Sequence, residues 1–466
     1  MSALAPLAGF AATLSADRIN ADLIDKARSC LLYGLAVGIA TVDTRADDHC
    51  GDLLGEVAGH QARWSATRLI DQKKLPVASA ALSNAMLLHR RIQEDSHPAG
   101  HVGVVVIPTA LACAEATGAS GKAFLLALIA GYEVALRIAR DHVLASSRRG
   151  FRSTSLYGVF GAAVAASRLL NPDCDQTAVA RALGIAAQFA SGLRGFVVSG
   201  TDEYLLHAGM AASQGIAAAQ FARAPLAISA HGLEGPAGFF QATGEADDGL
   251  ALSRLAAGYD NGFEFSAVTY KPYPCCQFHR NLVRGLIALS REAGEHPVRS
   301  ITIRMHPFEA NFFGVRYKGP FSSFPQTFMS APFCAALAWL DRDLTYRRMH
   351  DFNAADVLAL VEQIEVLADP AVGRYHPVIE VDLFDRPRLL WETNDLSDHY
   401  VLDWTAACRM ALQLGEEAGL DEQAMRSLIH EVARIEQATD LEGVLRAIGA
   451  LIPTHSISRF QQGDTR

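Results

Sequence analysis

A chain of 466 residues has room for two or three domains. Half its residues are hydrophobic and its mean hydropathy is +0.13, which supplies a large core and excludes a disordered or low-complexity protein. A net charge of −9 with no Lys/Arg-rich block excludes a polyanion-binding face, so nucleic acid is not an expected partner.

The first ten residues carry no basic n-region, and Asp17, Arg18 and Asp22 follow soon after, which is not the pattern of a signal peptide. From Asp17 to about residue 260 the pattern is helical and rich in alanine. Ser15 and Asp17 are candidate caps of a helix running through Ala40. Residues 76–89 read as a second helix of small residues, and Ala123 to Arg140, after the Gly-Ala-Ser-Gly turn at 118–121, as a third. The apolar core of that third helix, residues 123–139, is shorter than a bilayer span and contains Glu133 and Arg137, so no membrane partner is expected and a cytoplasmic location is. Gly158 and Gly161 in 156–170, and Gly209 and Gly215 in 205–222, cost about 1 kcal/mol each in a helix relative to Ala. Close helix crossing explains their presence.

The texture changes after Lys271. Residues 298–306 alternate Ile301, Ile303 and Met305 with polar neighbours, and 376–384 do the same with Ile379, Val381 and Leu383, so both read as half-buried strands. Residues 328–339 and 356–367 read as helices against that sheet. Helical periodicity returns at about Asp403, with helices over 422–435 and 441–448, and a frayed tail from Ser458. The expected architecture is mainly α, a large all-helical domain (1–266 and 403–466) with an inserted smaller α+β domain (267–402).

Chemistry is densest at 266–281, Ser-Ala-Val-Thr-Tyr-Lys-Pro-Tyr-Pro-Cys-Cys-Gln-Phe-His-Arg-Asn. Pro272 and Pro274 fix φ near −65° and hold Lys271 on a stiff, non-helical backbone. Cys275, Cys276, His279 and Arg280 follow. A second cluster, 89–101, ends an Ala-rich helix and carries Arg91, Asp95, His97, Pro98 and His101 in a loop hung on rigid elements. Eight cysteines without a CxxC pair, and no HExxH, give no metal motif and suggest reduced thiols.

The Lys-Pro-Tyr-Pro-Cys-Cys run resembles that of the MmgE/PrpD family, which includes 2-methylcitrate dehydratases, cis-aconitate decarboxylases and an iminodisuccinate epimerase. His97-Pro98 and His101 match the family's His-Pro and second His. The stretch Arg148 to Gly158 is similar to a family turn but has Arg152 where a His is usual. The Leu-Leu-His-Ala-Gly run at 205–209 matches a family helix start but has Tyr204 where a Lys is usual. His207 in that run reads as a satisfied core histidine, and Ser153, Thr154 and Ser155 as caps of the next helix.

The resemblance implies a cofactor-independent homodimer acting on a small polycarboxylate in a cleft between the two domains. Removing a proton or CO₂ beside a carboxylate leaves negative charge that guanidinium, ammonium and imidazole groups must stabilise. Lys271, His101, Tyr204, His279 and Asp95 are the candidate acid/base groups. Arg91, His97, Arg152, Cys276 and Arg280 are the candidate substrate ligands, Arg being suited to bidentate carboxylate binding. Loss of the His and Lys at 152 and 204, with Lys271 and His101 retained, favours an epimerase over a hydro-lyase of the 2-methylcitrate dehydratase type or a cis-aconitate-type decarboxylase. A base on one face of the carbon and a proton donor on the other would be needed.

Overall fold

The computed structural model describes residues 2–42, 64–171, 173–244, 255, 262–392 and 400–452; the tail from Ser458 lies outside them. Helices dominate, with a few small sheets. Among the described residues no helix is long and apolar enough to cross a membrane.

One apolar core joins the helices Ala21–Ile39, Val77–His89, Gly103–Thr117, Gly121–Arg140, Ser153–Leu170, Gln176–Phe189 and Glu203–Phe221 with the late helices Trp404–Glu417, Glu422–Ala433 and Glu442–Leu451. Trp404–Glu417 packs along Ala21–Ile39. Near this contact Lys26 Nζ donates to the carbonyls of Val268 (2.9 Å) and Leu402 (2.8 Å), tying together backbone from three parts of the chain. The helical glycines are where backbones meet. A Cβ on Gly161 would lie 2.7 Å from the Gly131 carbonyl oxygen, and one on Gly215 2.3 Å from Ala162 Cβ. Small side chains therefore trade helix propensity for close crossing.

The start of the second helix differs from the sequence reading. Ala16–Arg18 is a 3-10 turn, and the helix begins at Ala21, capped by Asn20 Oδ1 accepting from the Leu23 N–H at 3.0 Å. An additional helix, Leu4–Thr13, precedes it.

A second core, drawn mostly from 275–391, surrounds a four-stranded sheet ordered Ile364–Ala368, Val298–Met305, Val378–Leu383, Leu389–Trp391. The first pair is parallel and the rest antiparallel. Both alternating strands bury the residues their patterns assigned inward: Ile301, Ile303 and Met305 on one, Ile379, Val381 and Leu383 on the other. The helix expected over 356–367 stops at Glu362, and the chain continues as a strand. Ile364 and Val366 are buried opposite Ile301 and Ile303, so β-branched pairing overrides helical continuation. The helix expected over 328–339 is broken at Ser330, whose side chain accepts from the Phe333 N–H at 3.0 Å with Pro332 in the first turn of the new helix.

Ile92, Phe196, Val197, Tyr204 and Leu205 belong to this second core although they come from the helical half of the sequence. The site described next lies along that seam.

Candidate active site

A two-stranded antiparallel ladder, Asp95–Ser96 against Thr269–Tyr270, joins two distant stretches of chain. Its register pairs Asp95 with Tyr270 and Ser96 with Thr269, so the next step outward sets Glu94 opposite Lys271. Successive side chains on a strand point to opposite sides, so only one of Glu94 and Asp95 can reach the lysine. It is Glu94: Lys271 Nζ donates to Glu94 Oε1 at 2.6 Å, with both side chains buried. The lysine backbone is held by the Tyr33 hydroxyl on its carbonyl at 2.6 Å and by Gln93 Nε2 on the Pro272 carbonyl at 2.6 Å. Arg280 Nη1 reaches Thr269 Oγ1 and the Tyr270 carbonyl, both at 3.0 Å.

Glu94 is also an acceptor for histidine. His89 Nε2 meets Arg152 Nη2, and a guanidinium can only donate, so Nε2 is the acceptor and the His89 proton sits on Nδ1. That proton faces Glu94 Oε2 at 3.2 Å. Burial, reinforced by Arg152 and Lys271 and opposed by Glu94, pushes His89 down to about 4. Burial alone would raise the Glu94 carboxyl, but Lys271 and His89 hold it well below the usual carboxylate range. His101 approaches the same carboxylate, its Nδ1 lying 3.6 Å from Oε1. Burial and then Lys271 drive His101 strongly to the neutral form. Nδ1 makes no hydrogen bond at that distance, and the neutral imidazole stands at the edge of the cavity described next, where it can act as a base.

A cavity of about 130 Å³ opens beside this network. His101, Lys271, Arg152 and Cys276 line it, with Arg194, Arg374, Ser153 and Thr154, and an apolar wall that includes Phe196, Phe278, Phe308, Phe312 and Phe328. Among the described residues no Asp or Glu lines it. Ile92 also faces the cavity and adopts φ +54°, a conformation that β-branched residues rarely take. The reversal there lets His89 and Glu94, five residues apart, bind each other.

Of the residues singled out in the sequence, Lys271, His101, Arg152 and Cys276 are together at this cavity. Arg152 is partly committed, since Nη1 donates to the Tyr204 carbonyl at 2.6 Å and Nη2 to His89. Burial pushes the Cys276 thiol up to about 12. The others are elsewhere. Asp95 faces away from Lys271 and accepts from the Tyr132 hydroxyl at 2.9 Å; burial pushes it up to about 7. Tyr204 is buried outside the lining, its hydroxyl on the Arg90 carbonyl at 3.3 Å. His279 is buried with neither ring nitrogen hydrogen-bonded, and burial pushes it down to about 3. Arg91 leaves the cavity for Glu417, Nη2 to Oε2 at 2.5 Å, and stacks over Tyr346. His97 shapes its own turn, Nδ1 accepting from the Ala99 N–H at 3.1 Å. Arg280 braces the ladder and stacks over Tyr400.

Two further readings are corrected. His207 is half-buried beside a neighbouring pocket with Nδ1 unpartnered, not a satisfied core histidine. Ser153 and Thr154 line the cavity, and helix Ser153–Leu170 starts without a side-chain cap. Sequence reasoning missed Glu94 and His89, both within the cluster it had marked, and Arg194 and Arg374, which no motif signals.

The family model for the MmgE/PrpD N-terminal domain matches residues 5–249. A cis-aconitate decarboxylase-like protein of Aspergillus oryzae is 29% identical over 237 residues, 47% of this chain and 46% of that protein. Human cis-aconitate decarboxylase is 34% identical over 172 residues, 36% of this chain and 35% of that enzyme. The matched stretch thus spans about half or less of each curated relative.

Proposed function

The chain belongs to the MmgE/PrpD family, and from that premise we propose that it is an enzyme that moves a proton at a carbon beside a carboxylate of a small polycarboxylate anion. The observation that carries this reading is the Glu94-bridged pair of His101 and Lys271 at the edge of a cavity lined by cationic and apolar side chains. His101 Nε2 takes the proton. Lys271 and the arginines stabilise the charge that develops on the substrate carboxylate, in a site where surrounding phenylalanines exclude water. Glu94 orients both groups and touches neither the substrate nor its reacting carbon.

The finer reading is epimerisation. It rests on Arg152 and Tyr204 standing where the dehydrating and decarboxylating relatives are expected to carry His and Lys. Because His101 and Lys271 converge on one carboxylate oxygen they serve one face of the substrate carbon, so the donor for the other face must come from elsewhere in the lining. Cys276, whose thiol is protonated at neutral pH, fits that role. Decarboxylation is the second reading, favoured by the names of the two relatives, with dehydration of the 2-methylcitrate type beside it. The same proposal includes an inserted domain at 267–402, supported by the separate apolar core of 275–391, and a homodimer.

Incubation in D₂O with iminodisuccinate stereoisomers, cis-aconitate or 2-methylcitrate, followed by NMR, tests it. Deuterium entering with inversion marks an epimerase, a new alkene a hydro-lyase, and CO₂ release a decarboxylase. No exchange and no consumption of any polycarboxylate would refute the proton-transfer reading.

A further inference from the structure

Behind the loop that carries Glu94, another cleft of about 450 Å³ opens between Ala40 of the first apolar core and Tyr346 of the second. It shares no lining residue with the active-site cavity. Arg90 and Arg91 enter it from the end of helix Val77–His89, and Arg347 and His350 from the turn that carries Tyr346 and Met349 of the second core. Arg91 is already committed. Its Nε donates to Gln93 Oε1 at 3.1 Å, its Nη2 pairs with Glu417 Oε2 at 2.5 Å, and its guanidinium carbon lies 4.8 Å from the Tyr346 ring centroid. Arg90 is half-buried and Arg347 exposed, and among the described residues neither side chain makes a hydrogen bond, an ion pair or a ring contact.

Three helices end at this cleft, with Ala40, Arg90 and Ala418 as the caps of Ala21–Ile39, Val77–His89 and Trp404–Glu417. Helix C-termini attract cations, and arginines near them commonly bond the last carbonyls. Here backbone N–H groups do that instead: Thr41 on the Gly38 carbonyl at 3.1 Å, Ile92 on His89 at 3.1 Å and Leu420 on Gly415 at 2.8 Å. The forks of Arg90 and Arg347 are therefore left over. Glu417 is the one carboxylate in the described lining, against three guanidinium groups. His350 registers that excess: burial first, and the charges of Arg90 and Arg91, hold it below its ordinary pKa against the Tyr346 carbonyl and Asp202. Its Nδ1 donates to the Tyr346 carbonyl at 2.9 Å and its ring stacks on Phe324 at 4.7 Å, so the imidazole is held in place.

We propose that Arg90 and Arg347, with Arg91 and His350 in the same lining, form a binding site for the phosphate group of a small soluble phosphomonoester, separate from the active-site cavity. A guanidinium fork matches two phosphate oxygens, and a dianion with three terminal oxygens can engage two forks at once where a monocarboxylate fills one. The volume falls in the 300–1,000 Å³ range of small-molecule sites. A phosphate held by both arginines ties the helical body to the sheet module. It also lies behind the active-site loop, because Arg91 is one hydrogen bond from Gln93, whose Nε2 donates to the Pro272 carbonyl next to Lys271 at 2.6 Å.

Isothermal titration of the full chain with inorganic phosphate at constant ionic strength tests this, with acetate and phosphatidate vesicles as the other arms. Wild type should show saturable phosphate binding at least about tenfold tighter than acetate binding. Arg90→Gln and Arg347→Gln should each weaken it by about tenfold or more. Glu417→Gln removes the competing negative charge and should tighten it. Arg374→Gln, in the active-site cavity, should leave it within about twofold. Phosphate should raise the melting temperature of wild type and not that of Arg347→Gln. Circular dichroism verifies the fold of each variant; the Arg347 side chain is exposed and unpartnered, so its variant decides if Arg90→Gln is misfolded. Absence of saturable binding, binding unchanged in the folded Arg90 and Arg347 variants, binding lost in Arg374→Gln, or binding to the vesicles alone overturns the proposal. None of these results bears on the proton-transfer reading.

Discussion

Replacing Glu94 by Gln is the sharpest probe of the site, because the change is nearly isosteric and removes a single charge. Glu94 and Lys271 are 0% and 1% exposed with 2.6 Å between charged atoms. At an effective dielectric of about 20 their attraction is on the order of 6 kcal/mol, much of it offset by the desolvation of both groups. Neutralising one partner leaves a buried ammonium uncompensated, at a cost of about 3–5 kcal/mol. Unfolding entropy of about 2 cal/mol/K per residue gives roughly 1 kcal/mol/K for a chain of this length, so the melting temperature should fall by about 3–5 °C. Lys271→Met should cost a similar amount, because it strands the carboxylate. The double variant Glu94→Gln/Lys271→Met buries no charge at this position and should cost less than the sum of the two singles, a coupling of about 2–3 kcal/mol. Turnover should drop at least 100-fold in each variant, since His101 and Lys271 share the anchor that is removed. Melting curves by circular dichroism and proton exchange in D₂O read the two effects separately. A shift below 1 °C in Glu94→Gln, or a double variant equal to the sum of the singles, would refute the argued pairing.

Arg91→Ala removes the Glu417 partner outside the cavity, so kcat should stay within about fivefold while stability falls by roughly 1–3 kcal/mol; a hundredfold loss of kcat at full stability would return Arg91 to the site. Gly215→Val forces a Cβ to within 2.3 Å of Ala162 Cβ and 2.8 Å of the Ala163 backbone nitrogen, costing at least about 1–3 kcal/mol of overpacking; an unchanged melting temperature would contradict the close crossing. Burial pushes His89 and His97 down to about 4 and His279 to about 3, so between those values and 6.5 the folded chain binds fewer protons than the unfolded one. Stability from these groups is full above pH 6.5 and is lost as the pH falls toward 4, and His279→Asn should flatten that slope in melts across the range.

Periodicity carried much of the fold. The alternation in residues 298–306 and 376–384 maps onto strands with the assigned faces inward, because side-chain direction on a strand is local geometry. The glycines in 156–170 and 205–222 announced close crossings because nothing else repays their helical cost. The strand Ile364–Ala368 was not legible, since its identity comes from pairing with Ile301 to Met305 rather than from its own sequence. At the site, Lys271 stood out for its stiff, proline-flanked backbone and His101 for its loop. The choice of Glu94 over Asp95 depends on a two-residue ladder with register to Thr269 and Tyr270, which no local pattern encodes. Tyr204 and His279 were marked by position in the sequence, yet packing turns their polar atoms away from the cavity.

The ladder that unites Glu94 with Lys271 spans a sequence separation of 177 residues, and this bears on the protein's own synthesis. A nascent chain that has emerged as far as residue 249 contains His89, Glu94, His101, Arg152 and Arg194, but neither the ammonium nor Arg374. Such an intermediate also lacks the late helices that complete its apolar core. Under the proposed reading, the site is therefore complete only after translation has passed Lys271 and Arg374.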